Sequence, residues 1–218
     1  MCLLAIETAT SSGSYAILRD GKIIYQDIID MRTTHSETIM VRVDDALKAL
    51  KIDKKEIEGI CVSNGPGSFT GCRIGLATAK GISTGLRIPL VAFDTLEVLA
   101  ANAYGTDKNI LSVIDARMNE AYVGVYDSSL GIIKGAHCRP YGEITNDLTG
   151  DYICVGDVHL VNDNARFKKA LAHQNVIQAS AMFSLMQLKG IEMVYDQEYI
   201  FALEPYYVRS AFAQVNKK

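Results

Sequence analysis

Two stretches of the chain are rich in hydroxyl groups and glycine, the residue types that could bind an anion. Residues 8–14 form a polar turn, and residues 64–67 break an apolar strand just before a helix begins near Thr70. A helix start offers free N–H donors and a partial positive charge, so a phosphate or carboxylate could bind there. The candidate anion or nucleotide residues are Thr8, Ser11, Ser12, Gly13, Gly65, Gly67, Ser68, Phe69 and Arg117.

Each of these signals has a plainer alternative. The spacing of Gly65, Gly67 and Gly71 departs from the dinucleotide fingerprint because the third glycine comes one place late, and the Gly-Lys-Ser/Thr of a P-loop is missing. Residues 8–14 taken alone indicate ordinary turn chemistry. Arg117 could bind an anion, but an ion pair with Asp115 is at least an equal alternative.

The helix that follows the glycine turn carries small residues at regular intervals. Gly71, Gly75 and Ala79 recur every four residues on one ridge, with Gly81 and Gly85 nearby. Each glycine inside a helix costs roughly 1 kcal/mol relative to alanine, so something must approach this ridge closely. The partner is either the chain's own sheet or a helix of another subunit.

Composition and charge exclude several classes of protein. The chain has 218 residues, 49% of them hydrophobic, and a net charge of -3, which gives no electrostatic footprint for nucleic acid. No apolar run reaches transmembrane length and no signal peptide is evident, so we expect a cytoplasmic protein. The five scattered cysteines indicate core residues, Cys72 included, although its place near a helix start would favour a thiolate.

These segments require a scaffold of alternating strands and helices. In the first half, apolar patterning and an Asp20-Gly21 hairpin turn predict three strands, a helix and then a β-α-β-α unit. A Ser or Thr within residues 34–38 is expected to cap the first helix. The predicted strands are residues 3–7, 15–18, 23–29, 57–63 and 89–92. Of the three predicted helices, the first ends near Leu50, the second begins at Thr70 and the third spans residues 95–104.

The same order of elements then repeats. Strands are predicted at residues 110–114, 121–126, 132–138, 152–155 and 176–178, and helices at 143–148, 158–172 and 181–189. The aromatic tail, residues 203–209, is expected to pack on the body. The sequence thus predicts an α/β protein with tandem ribonuclease-H-like halves, residues 1–105 and 106–218, each with a mixed five-stranded sheet. This layout occurs in the actin-like ATPase (ASKHA) fold, and fold alone does not give function.

Five segments together resemble one family, the bacterial TsaB (YeaZ) proteins. They are LLAIETATSSGSYAIL, His35-Ser36-Glu37, NGPGSFTGCRIGLATAKGIS, residues 114–122 and residues 205–209. The resemblance implies a non-catalytic member of the actin-like ATPase superfamily. TsaB proteins pair with the catalytic paralogue TsaD, together with TsaE, to transfer a threonylcarbamoyl group to the adenosine next to the tRNA anticodon.

The resemblance also implies that this chain has no catalytic residues of its own and needs no cofactor. Two histidines that bind the metal in TsaD correspond to Thr95 and Leu99, and neither side chain is a useful metal ligand. The catalytic relatives also carry a glycine-rich phosphate turn where this chain has Asp115-Ala116-Arg117, and a late Gly-Gly nucleotide motif that this sequence lacks. We therefore expect an accessory subunit that activates TsaD, with no metal of its own.

The resemblance assigns partner binding to the first two helices. We expect a heterodimer with TsaD through these helices, a homodimer when the protein is alone, and contact with tRNA only within the complex. The expected interface residues are Ile39, Met40, Val43, Leu47, Gly71, Ile74, Gly75, Thr78, Ala79 and Ile82.

Two enzymatic alternatives stay open. The fold and the two polar loops would also suit an independent nucleotide-dependent phosphotransferase. A glycoprotease-like peptidase is the other alternative, although the sequence carries no zinc signature and no evident Ser-His-Asp constellation.

Overall fold

The computed structural model describes residues 1–30 and 38–209, and it contains two mixed five-stranded sheets. The strand order of the first sheet is β3-β2-β1-β4-β5, with β1 antiparallel to β2 and parallel to β4. Its strands are β1 (Cys2–Glu7), β2 (Ser12–Arg19), β3 (Lys22–Asp30), β4 (Gly59–Gly65) and β5 (Leu90–Asp94).

The second sheet repeats this topology with the order β8-β7-β6-β9-β10. Its strand β6 is antiparallel to β7 and parallel to β9, as β1 is to β2 and β4. The prediction of tandem ribonuclease-H-like halves is therefore confirmed. The strands are β6 (Asn109–Arg117), β7 (Glu120–Tyr126), β8 (Ile132–Pro140), β9 (Tyr152–Gly156) and β10 (Phe167–Lys169).

Five α-helices within the described residues cover and connect the sheets, and polar side chains cap the starts of three of them, with Asp196 accepting from Tyr199 N at α5. Ser68 Oγ accepts a hydrogen bond from Gly71 N at the start of α2, and Asp94 accepts from Leu96 N and Glu97 N at the start of α3. The helices are α1 (Thr38–Ala49), α2 (Phe69–Leu86), α3 (Thr95–Ala101), α4 (Ala181–Leu188) and α5 (Gln197–Ala202). Short 3₁₀ turns occur at Lys54–Glu56, Tyr141–Glu143, Val158–Leu160 and Ala172–Asn175.

The hairpin between β2 and β3 follows the predicted turn. Asp20 and Gly21 both have positive φ, 50° and 75°, and Arg19 pairs with Lys22 across them. The predicted cap of α1, a Ser or Thr within residues 34–38, precedes the first helical residue Thr38 and so lies outside the described residues.

Several predictions are wrong, most of them in the second half. Residues 158–172 do not form a helix: a 3₁₀ turn is followed by the strand β10, because the polar run Asn162-Asp163-Asn164 interrupts the helical pattern. Residues 176–178 are not a strand, since the Ile177 carbonyl instead accepts a hydrogen bond from Ser14 Oγ at 3.0 Å. The segment 143–148 has only the 3₁₀ turn at its start, α3 ends at Ala101, and α5 was not predicted.

One apolar cluster joins the two halves. Leu3 and Cys61 of the first sheet, Leu99 of α3, and Ile110 and Val155 of the second sheet all belong to it and are fully buried. The boundary between residues 105 and 106 stays a prediction. No helix within residues 1–30 and 38–209 is both long and apolar enough to cross a bilayer.

The chain after α4 returns to the first sheet, which confirms that the tail packs on the body. Ile200 of α5 is buried beside Ile60 and Val62 of β4. Further along, Tyr206 N donates a hydrogen bond to the Asn64 carbonyl at 2.7 Å. The last described residues therefore lie at the glycine turn.

Candidate functional site

A cleft of about 680 Å³ lies between the two halves, and parts of both predicted polar loops line it. Residues 9–11 and 67–70 form the wall on the first half, and residues 114–117 form much of the wall on the second half. Of the predicted anion residues, Ser11, Gly67, Ser68, Phe69 and Arg117 line this cleft.

The remaining predicted anion residues lie behind that wall. The Thr8 side chain is buried, and its Oγ1 donates a hydrogen bond to the Gly71 carbonyl at 2.7 Å. Gly65 is buried at the end of β4, while Ser12 and Gly13 are part of β2. These residues fix the position of the loops, and any role in anion binding stays a prediction.

The two loops contact each other directly. Ser68 N donates a hydrogen bond to the Ala9 carbonyl at 2.6 Å. A Cβ atom on Gly67 would lie 2.2 Å from that same oxygen, so only glycine fits there. This contact places Phe69 and Thr70, the first residues of α2, at the cleft.

On the opposite wall, Arg117 is paired with a neighbouring carboxylate. Arg117 Nη1 lies 3.2 Å from Asp115 Oδ2, and Tyr141 OH donates to Asp115 Oδ1 at 2.7 Å. Asp157 Oδ2 accepts a hydrogen bond from Asp115 N at 2.7 Å. Arg117 therefore forms the ion pair that was its alternative role, on a wall that carries both carboxylates and the cationic side chain of Arg209.

The aromatic tail supplies residues that sequence reasoning did not place in the cleft. The Tyr207 ring stacks on Phe69 with 5.2 Å between centroids, and Arg73 Nε donates to Tyr207 OH at 2.8 Å. The Arg73 guanidinium lies 3.8 Å from the Phe69 centroid. Because the tail is distant in sequence, its aromatic composition indicated packing but not the surface that it covers.

Glu7 lies at the end of β1 and is completely buried. Its Oε1 accepts hydrogen bonds from Ala9 N and from Ser63 Oγ, whereas Oε2 has no partner among the described residues. Burial raises the pKa of this carboxyl to about 8. Glu7 therefore holds its proton at neutral pH.

The positions that the resemblance assigns to metal ligands have structural roles here. Thr95 Oγ1 accepts a hydrogen bond from Gly65 N at 3.1 Å, and Leu99 is fully buried in the shared core. Within residues 1–30 and 38–209, no three His, Cys, Asp or Glu side chains are arranged to hold a metal ion. Burial also raises the pKa of Cys72 to about 12, which agrees with a core thiol.

The structure corrects the interpretation of the small-residue ridge. A Cβ on Gly71 would lie 2.0 Å from the Thr8 carbonyl oxygen, and one on Gly75 would lie 2.3 Å from Thr8 Oγ1. Ala79 is fully buried among Ile60, Val62 and their neighbours. The ridge therefore faces the chain's own sheet and is not available to another subunit.

The same correction applies to the apolar face of α1. Ile39, Val43 and Leu47 are buried against Leu4 and Ile6 of β1, since an amphipathic helix covers its own sheet first. Of the other predicted interface residues, Met40 is 44% exposed, and Ile74, Thr78 and Ile82 are half-buried.

The outer face of α2 carries very small side chains. Ala77, Gly81 and Gly85 are exposed at four-residue intervals, and a Cβ on either glycine would meet nothing within 4 Å. We give the name outer helical surface to the exposed and half-buried residues Ile74, Ala77, Thr78, Gly81 and Gly85 of α2 together with the exposed Met40 of α1.

Comparisons with known proteins give one consistent group. A family model described as TsaD, tRNA N6-adenosine threonylcarbamoyltransferase, matches residues 30–184. The tRNA threonylcarbamoyladenosine biosynthesis protein TsaB of Bacillus subtilis is 35% identical over 134 residues, which cover 62% of this chain and 58% of that protein. Its Escherichia coli counterpart is 33% identical over 165 residues, 72% of this chain and 71% of that protein.

A solved structure shows the same fold. The chain superposes on YeaZ from Pseudomonas aeruginosa with a TM-score of 0.77 and 24% sequence identity, and the match covers 94% of this chain and 99% of that one.

Proposed function

Since the chain belongs to the TsaB (YeaZ) family, we propose that it is an accessory subunit that binds the catalytic paralogue TsaD and activates it. The reaction would be threonylcarbamoyl transfer to the adenosine next to the tRNA anticodon. The names of the Bacillus subtilis and Escherichia coli relatives, which refer to threonylcarbamoyladenosine biosynthesis, support this pathway.

One observation carries the non-catalytic role. The resemblance places the metal-binding histidines of TsaD at positions that are Thr95 and Leu99 in this chain. The hydroxyl of Thr95 is used to bind the Gly65 amide, and Leu99 packs among core residues of both halves. A metal ion at this place would find one weak ligand and an apolar side chain.

The outer helical surface is the proposed binding site for TsaD. Small side chains at positions 77, 81 and 85 would let a partner helix approach α2 closely, while Met40 and Ile74 offer apolar area. A specific complex of this kind buries roughly 1,600 Å² in total. In the absence of TsaD, two copies of the chain would pair through the same surface.

The remaining parts of the proposal concern the assembly. TsaE would join the TsaD-bound chain, and tRNA would be held by the complex rather than by this subunit alone, since its net charge is -3. The proposed location is the cytoplasm.

Omission from a reconstituted reaction tests the accessory role. Purified TsaD, TsaE, tRNA and the threonylcarbamoyl-adenylate donor are incubated with and without this chain, and modified adenosine is measured. We expect the modification to be lost or sharply reduced without the chain. Undiminished modification would overturn the proposal.

The cleft supports a second candidate, a nucleotide-dependent phosphotransferase, because both polar loops meet at the first turn of α2. The engagement of the facing carboxylates counts against it: Asp115 is bound by Arg117 and Tyr141 and Asp157 by the Asp115 amide, so these oxygens are already used by protein groups rather than open to the Mg²⁺ of a nucleotide. Calorimetric titration of the isolated chain with ATP and Mg²⁺ decides between the two. Saturable binding would favour this candidate, and no heat of binding would remove it.

A further inference from the structure

The segment 203–209, which we call the C-terminal strap, starts from a firm attachment to the first half. Ile200, just before it, is 1% exposed and packs with Ile60, Val62 and Leu76. Lys80 Nζ on α2 donates hydrogen bonds to the carbonyls of Phe201 and Leu203, both at 3.0 Å. The chain therefore enters the strap from a fixed point on α2.

The middle of the strap follows the glycine turn. Tyr206 N donates to the Asn64 carbonyl at 2.7 Å, and the Tyr206 carbonyl lies where a side chain at Gly65 would have to be, 2.4 Å from its Cβ position. Gly65 also has φ of +121°, a value that side chains disfavour. Tyr207 then stacks on Phe69 at the cleft.

The end of the strap reaches the second half. Arg209 forms an ion pair with Glu120, the first residue of β7, and its Nη2 lies 3.5 Å from the Ala116 carbonyl. The Arg209 side chain is only 14% exposed in this position. Water screens this partly buried pair less than an exposed one, and removing either partner would leave the other charge partly buried without its counter-ion.

The strap thus crosses the cleft that separates the two halves. Elsewhere the halves are joined by the shared apolar core, by a hydrogen bond from Ala179 N to Ser14 Oγ at 2.8 Å, by hydrogen bonds from Asn102 to the carbonyls of Gln174 and Val176, and by the Glu97–Lys189 ion pair. Tyr207 and Arg209 both line the cleft, so the strap lies between its walls.

We propose that the C-terminal strap is a clamp that fixes the separation of the two halves across the cleft, with the Arg209–Glu120 ion pair as its closing contact. The width of the cleft is then set by the chain's own tail. Any ligand or partner that displaced Arg209 from Glu120 would release the second half to move about the shared core. This inference does not depend on the proposed role with TsaD.

Charge reversal across the ion pair provides the variants that test the clamp. Arg209→Glu and Glu120→Arg each place like charges together, and the double variant restores an opposite pair. Arg209→Gln removes the charge with little change in volume, which keeps the test possible if a reversal fails to fold. Lys169→Glu is the matched control, because it breaks the exposed Lys169–Asp163 pair of the second half.

The separation of the halves is measured by pulsed electron paramagnetic resonance on the full chain. Spin labels are attached at Lys22→Cys and Lys168→Cys, exposed positions on edge strands of the two sheets, in a Cys138→Ser background. Cys138 hydrogen-bonds to Glu120, so serine keeps a donor there, and the Cys138→Ser protein is the parent for every comparison. We expect one narrow distance distribution for the parent, the Lys169→Glu control and the double reversal. The single reversals and Arg209→Gln should give a broader or shifted distribution.

Hydrogen exchange of the strap shows whether the ion pair was broken. We expect about tenfold faster exchange in strap peptides of the single variants, the change that a loss of ~1.4 kcal/mol produces. Faster exchange with an unchanged distance distribution would mean that the strap only covers α2 and would overturn the clamp. Unchanged exchange together with unchanged distances would overturn it as well.

Discussion

Thr8 and Gly71 hold the end of β1 against the first turn of α2. The Thr8 hydroxyl donates to the Gly71 carbonyl at 2.7 Å, and the Thr8 carbonyl lies 2.0 Å from where a Cβ on Gly71 would be. The glycine is needed for this close approach. The contact determines where the helix start meets the cleft, and it turns the small-residue ridge of α2 inward.

Replacing a glycine of α2 by alanine should therefore change the free energy of unfolding in opposite directions on the inner and the outer face of the helix. Gly71→Ala should lower the free energy of unfolding by about 1–3 kcal/mol, because the new methyl group collides with backbone. Gly81→Ala, on the open face, should raise it by up to ~1 kcal/mol through better helix propensity. Urea unfolding followed by circular dichroism measures both, and equal effects at the two positions would contradict the inward ridge.

A larger side chain on the outer helical surface should affect partner binding but not folding. Gly81→Leu has space in the isolated chain, since nothing lies within 4 Å of its Cβ position, but it would hold a partner helix away from α2. We expect the affinity for TsaD to fall by at least about tenfold, equivalent to ~1.4 kcal/mol. Surface plasmon resonance gives the affinity, and circular dichroism verifies the fold.

Gly135→Leu is the matched control for this variant. Gly135 lies exposed in β8, and its Cβ position is also free of neighbours within 4 Å. Equal loss of affinity in both variants would show that the outer helical surface is not the binding site.

The buried carboxyl of Glu7 should make stability depend on pH. Its pKa is raised from 4.5 to about 8 in the folded chain, so the native state binds one more proton than the unfolded state between these values. Stability therefore falls as pH rises through this range and levels off above it. The full effect is on the order of a few kcal/mol.

Glu7→Gln should remove this contribution. The variant should lose less stability than the parent between about pH 5 and about pH 9, measured by urea unfolding at each pH. Burial also raises the pKa of Asp94 to about 6. Asp94 therefore adds a smaller decrease of the free energy of unfolding with rising pH, and this decrease is the same in the variant and the parent. Parallel pH profiles for the variant and the parent would contradict the protonated state of Glu7.

The five cysteines should differ in the rate at which a thiol reagent modifies them, because they differ in exposure. Cys2, Cys61, Cys72 and Cys154 are buried, whereas Cys138 is half-buried. In the native protein, a disulfide reagent such as DTNB should first modify Cys138, and Cys138→Ser should remove this early phase. An early phase that persists in Cys138→Ser would show that a buried thiol, Cys72 included, is more reactive than its environment indicates.

Local patterns allowed the topology to be predicted. The Asp20-Gly21 turn and the apolar strands gave the meander, and the glycine turn marked the junction of β4 with α2. The second half was predicted less well because its last strand, β10, has only three residues. Such a strand depends on pairing with β9, which no local pattern reveals.

The sequence identifies the polar loops that line the cleft but not the tail residues that meet them, because those contacts join residues far apart in the chain. The polar loops could be recognised from residue type, but the sequence did not reveal that Tyr207 and Arg209 would meet them. The direction of the α2 ridge was also ambiguous, since close packing on a sheet and close packing on another helix both require small residues. Only the position of Thr8 decides between them.

The mass of the species formed when this chain is mixed with TsaD from the same organism tests the central claim most directly. Light scattering coupled to size-exclusion chromatography should show a one-to-one complex, or a dimer of such complexes, with the free chain depleted. The two proteins eluting separately, at concentrations where tRNA modification proceeds, would contradict the accessory role.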